Sequence, residues 1–263
     1  MELIEKQPEF VSRFSRWSGD ENLRGYPFVE NVKSPFTPLR RALPFLNLGL
    51  ISSAGGYIDG TEPFDLDAKG GDLEFREIPI EVGGEDIRYS AKGYDPAFVQ
   101  QDRNSQVPID RLREYEGNAV IGHLNDCWWS LSPYIPDAAA VAREIVPKLV
   151  ERLNRYEVQA AILIPASRLC HQTLGIVARG LEHHGIPSIV ISVDRAATDL
   201  VRPPRTAYSA GKLGCVAGEP NWKQHQLRIL DETVRWIETF DQPGTRRLVV
   251  ELETAVENAR GER

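Results

Sequence analysis

Three cysteines, Cys127, Cys170 and Cys215, are the side chains of this sequence best suited to covalent chemistry. The thiolate is the nucleophilic form of cysteine, so the question for each is whether its surroundings favour the charge. Cys170 follows the apolar run AAILIP and opens the stretch CHQTLGIVARGLEHHG, at the junction of a strand and a helix. The free N–H groups of a helix N-terminus favour negative charge, and α/β proteins bind ligands at the carboxyl edge of the sheet. Ser167, Arg168, His171 and Gln172 surround the cysteine with polar groups, which argues for a reactive thiol over an inert one packed in an apolar site. His171 suits the orienting of a substrate or the steadying of a thiolate. Arg168 and Gln172 suit a substrate carboxylate, although helix-start side chains also serve simply as caps.

Two thiols can share the work. Cys127 lies in NDCWWSLSPYIP after the apolar run VIGHL, and Cys215 lies in a loop with Gly211, Gly214 and Gly218. Both are expected at the same sheet edge as Cys170. Either would then form a disulfide with it that a thioredoxin-like dithiol recycles, and the glycine-rich loop favours Cys215. A role as small apolar filler is the alternative for each. Cys127, Cys170, His171 and Cys215 show no metal-ligand spacing, so no metal and no tightly bound cofactor is expected.

The other candidate residues follow the run PFLNLGLIS. In SSAGGYIDG, Ser52, Ser53 and Gly55 are small enough to let backbone approach a ligand at a strand end, or to make a tight surface turn. Asp59 and Glu62 are the preferred acids for protonating a substrate carbon, with Tyr94 and His123 as further candidates by residue type. Tyr57, Tyr94, Trp128 and Trp129 would suit a cage for a quaternary or cationic nitrogen, or would fill core.

A strand, a helix and a second strand run consecutively through AAILIPASRL, CHQTLGIVARGLEHHG and IPSIVISVD, a βαβ unit with right-handed crossover. The expected fold is therefore α/β with a parallel sheet, Rossmann/flavodoxin-like. Residues 1–40, rich in Phe, Trp, Tyr and Pro, read as an N-terminal extended arm. Residues 41–155 and 156–263 read as two related lobes or as one compact domain. Pro38 and the LRRAL after it predict a short helix, Pro44–Ser52 a strand, EFREIPIEV a strand, Pro108–Gly117 a helix and Ala119–Leu124 a strand. Asp137–Arg155 predicts an amphipathic helix capped by Asp137, and two more helices are expected near Trp222–Phe240 and Thr245–Glu257.

Composition narrows the class. Of 263 residues 41% are hydrophobic and 26% charged, as in globular proteins. The net charge of -7 and the lack of a Lys/Arg block argue against nucleic acid. Neither a signal peptide nor a run of eighteen apolar residues is seen, and three widely spaced cysteines make no disulfide framework. The expectation is a cytoplasmic protein off the membrane, open to homo-oligomer formation.

The run IPASRLCHQTLGIVARGLEHHGIPSIVIS (Ile164–Ser192) resembles the cysteine or selenocysteine segment of the glycine/sarcosine/betaine reductase selenoprotein B and D-proline reductase family. ISSAGGYIDGTEPFD (Ile51–Asp65), VPIDRLREYEGNAVIG (Val107–Gly122) and KLGCVAGEP (Lys212–Pro220) resemble its other recurrent blocks in the same order, so the likeness spans about Pro35 to Phe240. The resemblance implies reductive cleavage of a carbon–heteroatom bond in a small amine, amino acid or betaine; cleavage of a C–S bond, as in a thione, is the alternative to C–N that thiolate chemistry offers. Cys170 stands at the reactive position. An external thiol or dithiol is implied as reductant, with a redox protein partner. Three positions depart from the family's pattern. Ser167 stands where a second cysteine is often found, Cys215 where histidine is common, and Gly93 where histidine is usual; these changes point to a diverged substrate.

Two other readings compete. A cofactor-independent racemase or isomerase would need two facing cysteines, for which Cys127 and Cys170 are available. A non-catalytic redox or partner subunit would dock through the aromatic arm.

Overall fold

The apolar runs read from the sequence form the middle of a mostly parallel sheet. The computed structural model describes residues 2–250 together with 256, 259 and 260. Its strands are β1 (Asn47–Ser52), β2 (Gly56–Ile58), β3 (Arg76–Pro79), β4 (Ile87–Tyr89), β5 (His123–Leu124), β6 (Cys127–Ser130), β7 (Ala160–Ile164), β8 (Ser188–Ser192), β9 (Arg205–Tyr208) and β10 (Gly244–Arg247). Its helices are α1 (Gln7–Phe14), α2 (Ala97–Gln101), α3 (Ile109–Gly117), α4 (Ala138–Ala140), α5 (Val146–Arg155), α6 (Arg168–His183), α7 (Arg195–Val201) and α8 (Lys223–Thr239).

The main sheet runs β10-β9-β8-β7-β1-β6-β3, and β5 adds a short pairing to β1. Every neighbour pair in it is parallel except β3 with β6. β2 and β4 form a separate antiparallel ribbon. The fold is α/β, and one sheet takes strands from both halves of the chain. From β1 the chain builds outward through β6, then returns to the other side of β1 to lay down β7, β8 and β9. The loops after β1 and β7 therefore diverge, and such a point opens a crevice at the carboxyl edge of the sheet.

Strand side chains alternate between two apolar layers, which is why these runs are hydrophobic throughout. Leu48, Leu50, Ile162, Ile189 and Trp128 face one layer with Leu112 of α3 and Leu230 of α8. Ile51, Leu163, Val190 and Trp129 face the other, with Leu149 of α5, Leu174 of α6 and the arm residues Ile4, Phe10 and Tyr26.

The long amphipathic helix forms with a modification. Asp137 caps it by accepting from the Ala140 N–H at 3.0 Å, but residues Val141–Ile145 make a π-helical turn between α4 and α5. Pro147 follows directly; its missing N–H and ring exclude the normal helical hydrogen bond, and the wider turn accommodates them.

Three expectations fail locally. No helix follows Pro38: the backbone from Pro38 to Ala42 is irregular and only Leu43–Phe45 makes a 3-10 turn. The strand expected over Ala119–Leu124 shrinks to β5, because Ala119 takes a left-handed φ of 55°, and the pairing moves on to β6. The helix expected near Thr245–Glu257 begins instead as β10, paired with β9, and most of its remainder lies outside the described residues.

The arm is tied down by polar groups. The buried Arg179 guanidinium donates to the carbonyls of Leu3 at 2.8 Å, Lys33 at 2.6 Å, Arg202 at 3.1 Å and Glu2 at 3.2 Å. A buried ion pair joins Arg205 to Glu182, whose carboxylate also accepts from the Thr37 N–H at 2.5 Å. Among the described residues no helix is long and apolar enough to cross a membrane.

Candidate active site at the β1 and β7 strand ends

Cys170 lies in the first turn of α6, at the seam between the loops after β1 and β7. Ser167 is the N-cap, and its hydroxyl oxygen accepts from the Cys170 N–H at 3.2 Å. The two loops are stitched together: the Ser53 hydroxyl accepts from the Ala166 N–H at 3.3 Å, and the Ser53 N–H donates to the Ile164 carbonyl at 3.3 Å. The Cys170 sulfur then lies 3.2 Å from the Pro133 carbonyl oxygen, 3.5 Å from that of Ser53 and 3.1 Å from the Ser167 hydroxyl. The polar neighbours read from the sequence do not hold the sulfur open: Cys170 is only 1% exposed. Carbonyls and a hydroxyl line its surroundings, and they seal it.

His171 points away from the sulfur. Its Nδ1 lies 2.7 Å from the Ser167 carbonyl oxygen, and its Nε2 accepts from the N–H groups of Val193 and Asp194 at 3.2 and 3.3 Å. That arrangement requires the proton on Nδ1. Burial then holds the ring neutral, pushing its pKa down to about 4. It pins the loop after β8 to the start of α6, and the expected contact with a thiolate is replaced by this clamp. Gln172 likewise faces the arm: its amide donates to the Tyr26 hydroxyl at 2.6 Å and accepts from the Val29 N–H at 2.8 Å, so neither end is left for a substrate carboxylate. Arg168 is half exposed, 3.4 Å from Asp194 and over the Phe28 ring.

The other two thiols separate. Cys127 opens β6, three residues before the Ser130 that pairs with Ser52, so it sits roughly 10 Å back along the strand from the carboxyl edge. It also faces the opposite apolar layer. The expectation of a shared edge fails for it, and so does the pair of facing cysteines a racemase would need. Burial pushes the Cys127 thiol up to about 11. The Cys215 loop does reach the site: the Gly214 N–H donates to the Ala166 carbonyl at 3.0 Å. Burial pushes this thiol up to about 11 as well. All three cysteines are free thiols.

The loop after β1 is fixed by its own backbone. Ser52 donates toward the Ile164 carbonyl at 3.3 Å and accepts from the Ala54 N–H at 3.3 Å. Gly55 has a φ of +67°, and a Cβ there would come 2.3 Å from the Ser90 carbonyl oxygen. Asp59 and Glu62 are both exposed, and Asp59 pairs with Arg88 at 2.7 Å. The acidic pair is a surface turn past the end of β2. Tyr57 is half-buried in β2. His123, in β5, belongs to the opposite end of the sheet, between Glu116 and Asp126. Tyr94 is the one acid candidate beside Cys170; its hydroxyl donates to the Ala54 carbonyl at 2.6 Å, and burial raises its pKa.

The aromatic cage does not form. Trp128 and Trp129 are consecutive in β6 and point to opposite layers, both fully buried. Trp128 packs on Gly56, whereas Trp129 donates to Glu77 at 3.2 Å.

Sequence reasoning missed Pro133, whose contribution is a backbone carbonyl and leaves no residue-type signal. It also missed Gln106, which is fully buried. The Gln106 side chain donates to the Ile164 carbonyl at 3.2 Å and accepts from the Val216 N–H at 3.1 Å, joining the Cys215 loop to the end of β7. Among the described residues no group of three His, Cys, Asp or Glu side chains is placed to hold a metal.

Comparison with known proteins converges on one group. Residues 81–166 match the glycine/sarcosine/betaine reductase selenoprotein B family, a segment that ends one residue before the N-cap Ser167. D-proline reductase subunit gamma of Acetoanaerobium sticklandii is 27% identical over 209 residues, 80% of this chain and 85% of that protein. Glycine reductase complex component B subunit gamma of Symbiobacterium thermophilum is 27% identical over 183 residues, which cover 65% of this chain and 40% of that protein. Betaine reductase complex component B subunit beta of Peptoclostridium acidaminophilum is 30% identical over 100 residues, 37% of this chain and 22% of that protein. The chain thus matches most of the proline reductase subunit but less than half the length of the other two. No solved structure matches it. These matches, with the four sequence blocks that lie in the same order, make the chain similar to the glycine/sarcosine/betaine reductase selenoprotein B and D-proline reductase family, with a cysteine at position 170.

Proposed function

We propose that the chain is a thiol-dependent reductase component that cleaves a carbon–heteroatom bond, C–N or C–S, of a small amine, betaine or thione, with Cys170 as the nucleophile. The observation that carries this reading is the placement of Cys170 in the first turn of α6, against the Ser53 carbonyl at the β1 and β7 strand ends. There the helix dipole supports negative charge on the sulfur once the thiol has given up its proton. Sulfur attack and bond cleavage give, in net terms, two protonated fragments and one disulfide from the substrate and two thiols. The second thiol is Cys215, whose loop is bonded to the one preceding Cys170, or an external thiol. A thioredoxin-like dithiol then restores both sulfurs. The named relatives are subunits of reductases or reductase complexes, which supports work beside partner subunits.

The test is twofold. Iodoacetamide, read by peptide mass, is expected to label Cys170 faster than Cys127 and Cys215, and turnover of amines, betaines and thiones with a dithiol is expected to vanish in Cys170→Ser while the fold persists. Labelling of Cys170 no faster than of Cys127 and Cys215 would overturn the reading. A non-catalytic subunit docking through its arm is less favoured, since Phe10 and Tyr26 of the arm are buried in this chain's own core.

A further inference from the structure

We infer that Ser167 is a catalytic residue acting on the Cys170 sulfur, its hydroxyl turning from the Pro133 carbonyl to the sulfur when the thiol gives up its proton. The inference rests on the reading of Cys170 as the nucleophile.

The resting arrangement suits a thiol and not a thiolate. Two carbonyl oxygens face the sulfur, those of Pro133 at 3.2 Å and Ser53 at 3.5 Å. Each is an acceptor for S–H and each repels a negative sulfur. Among the described residues, the hydroxyl donor in reach is Ser167, whose oxygen lies 3.3 Å from the Pro133 carbonyl oxygen and 3.1 Å from the sulfur. Rotation about the C–O bond exchanges the two acceptors without moving a heavy atom. The oxygen meanwhile keeps accepting the Cys170 N–H at 3.2 Å, so cap and donor act together.

Ser167 is held for this task from two sides. His171 Nδ1 donates to its carbonyl oxygen at 2.7 Å. Its Cβ faces Gly93, where an added methyl group would stand only 3.2 Å away. Its own backbone is extended, at φ -123° and ψ 173°, so any residue fits there without strain.

The other groups around Cys170 do not replace it. His171, on the same helix, is neutral and fully engaged. Arg168 turns toward Asp194. Tyr94, from the loop after β4, spends its proton on the Ala54 carbonyl. Cys215, from the loop after β9, lies 3.8 Å from the Lys212 carbonyl oxygen. A proton leaving Cys170 therefore leaves a sulfur whose compensation comes from α6 and from Ser167.

The test follows Cys170 alkylation by iodoacetamide against pH in the full chain, for the parent, Ser167→Gly, Ser167→Asp and Ser167→Thr. Glycine removes the hydroxyl at little cost to the cap. A hydrogen bond to a charged group is worth roughly a tenfold to hundredfold preference, so the Ser167→Gly curve is expected to move up by about one to two pH units. Ser167→Asp keeps the cap but brings an acceptor and a charge, and is expected to move at least as far. Ser167→Thr restores the parent curve. A Ser167→Gly curve within about 0.3 pH units of the parent overturns the assignment and leaves the nucleophile standing; a parent whose Cys170 is inert overturns both.

Discussion

The Ser53 carbonyl oxygen and the Cys170 sulfur lie 3.5 Å apart across the seam between the loops that follow β1 and β7. Residues 117 positions apart in sequence meet there because the sheet grows outward from β1 in both directions. Four consequences can be measured.

His171 should make the protein acid-labile. Its folded pKa is depressed to about 4 from 6.5, so between those values the unfolded chain binds the extra proton and the folded chain does not. The stability it contributes is present above pH 6.5 and is lost as pH falls toward about 4, by about 3 kcal/mol in all. Urea unfolding at stepped pH should show this loss in the parent. His171→Gln should be less stable at neutral pH and show a flatter acid limb. Equal slopes for the two proteins would refute the account.

Gly55→Ala should destabilise by about 2 kcal/mol or more, since alanine strains at a left-handed φ and its methyl group meets backbone. The φ is +67°, and the nearest atom, the Ser90 carbonyl oxygen, would lie 2.3 Å away. Denaturant midpoints check this, and a midpoint equal to that of Gly60→Ala, whose Cβ meets nothing within 4 Å, would contradict it.

Arg179→Met should release the arm. It deprives the Glu2, Leu3, Lys33 and Arg202 carbonyls of a common donor, and buried acceptors left unpaired cost about 1–3 kcal/mol each when water cannot reach them. A total loss of about 3 kcal/mol is expected, with trypsin cutting within the first forty residues before the sheet unfolds. Cleavage beginning elsewhere would speak against the clamp.

Cys127 should behave as core. With its thiol pushed up to about 11, about one molecule in a thousand carries the thiolate at pH 8. Alkylation of the folded protein should leave it unmodified, and Cys127→Ala should keep turnover within about twofold. Loss of turnover in a folded Cys127→Ala would bring it back into the chemistry.

The parts of this molecule that sequence displayed are those governed by local rules. The β7 and α6 junction was legible because a buried run, a capping serine and a glycine stop are contiguous, and Cys170 was placed correctly with them. Trp128 and Trp129 misled because proximity in sequence suggested a joint surface, whereas strand alternation sends neighbours to opposite layers. Cys127 misled in the same way: nothing in NDCWWS states which end of a strand pairs with Ser52. His171 and Gln172 were recognised as polar groups beside a thiol, but their partners, Val193, Asp194, Tyr26 and Val29, come from other segments and only the fold brings them near. Pro133 left no trace because its contribution is main chain.

The enclosure of Cys170 between two carbonyl oxygens, with 1% of its surface exposed, also bears on how long such a protein survives. Peroxide and dissolved oxygen attack accessible thiolates first, and a sulfur kept out of water is spared. If Cys170 is the nucleophile proposed above, the same closure requires a movement that uncovers it before each turnover, so durability in an oxidising episode and speed of turnover are set against each other by a single contact surface.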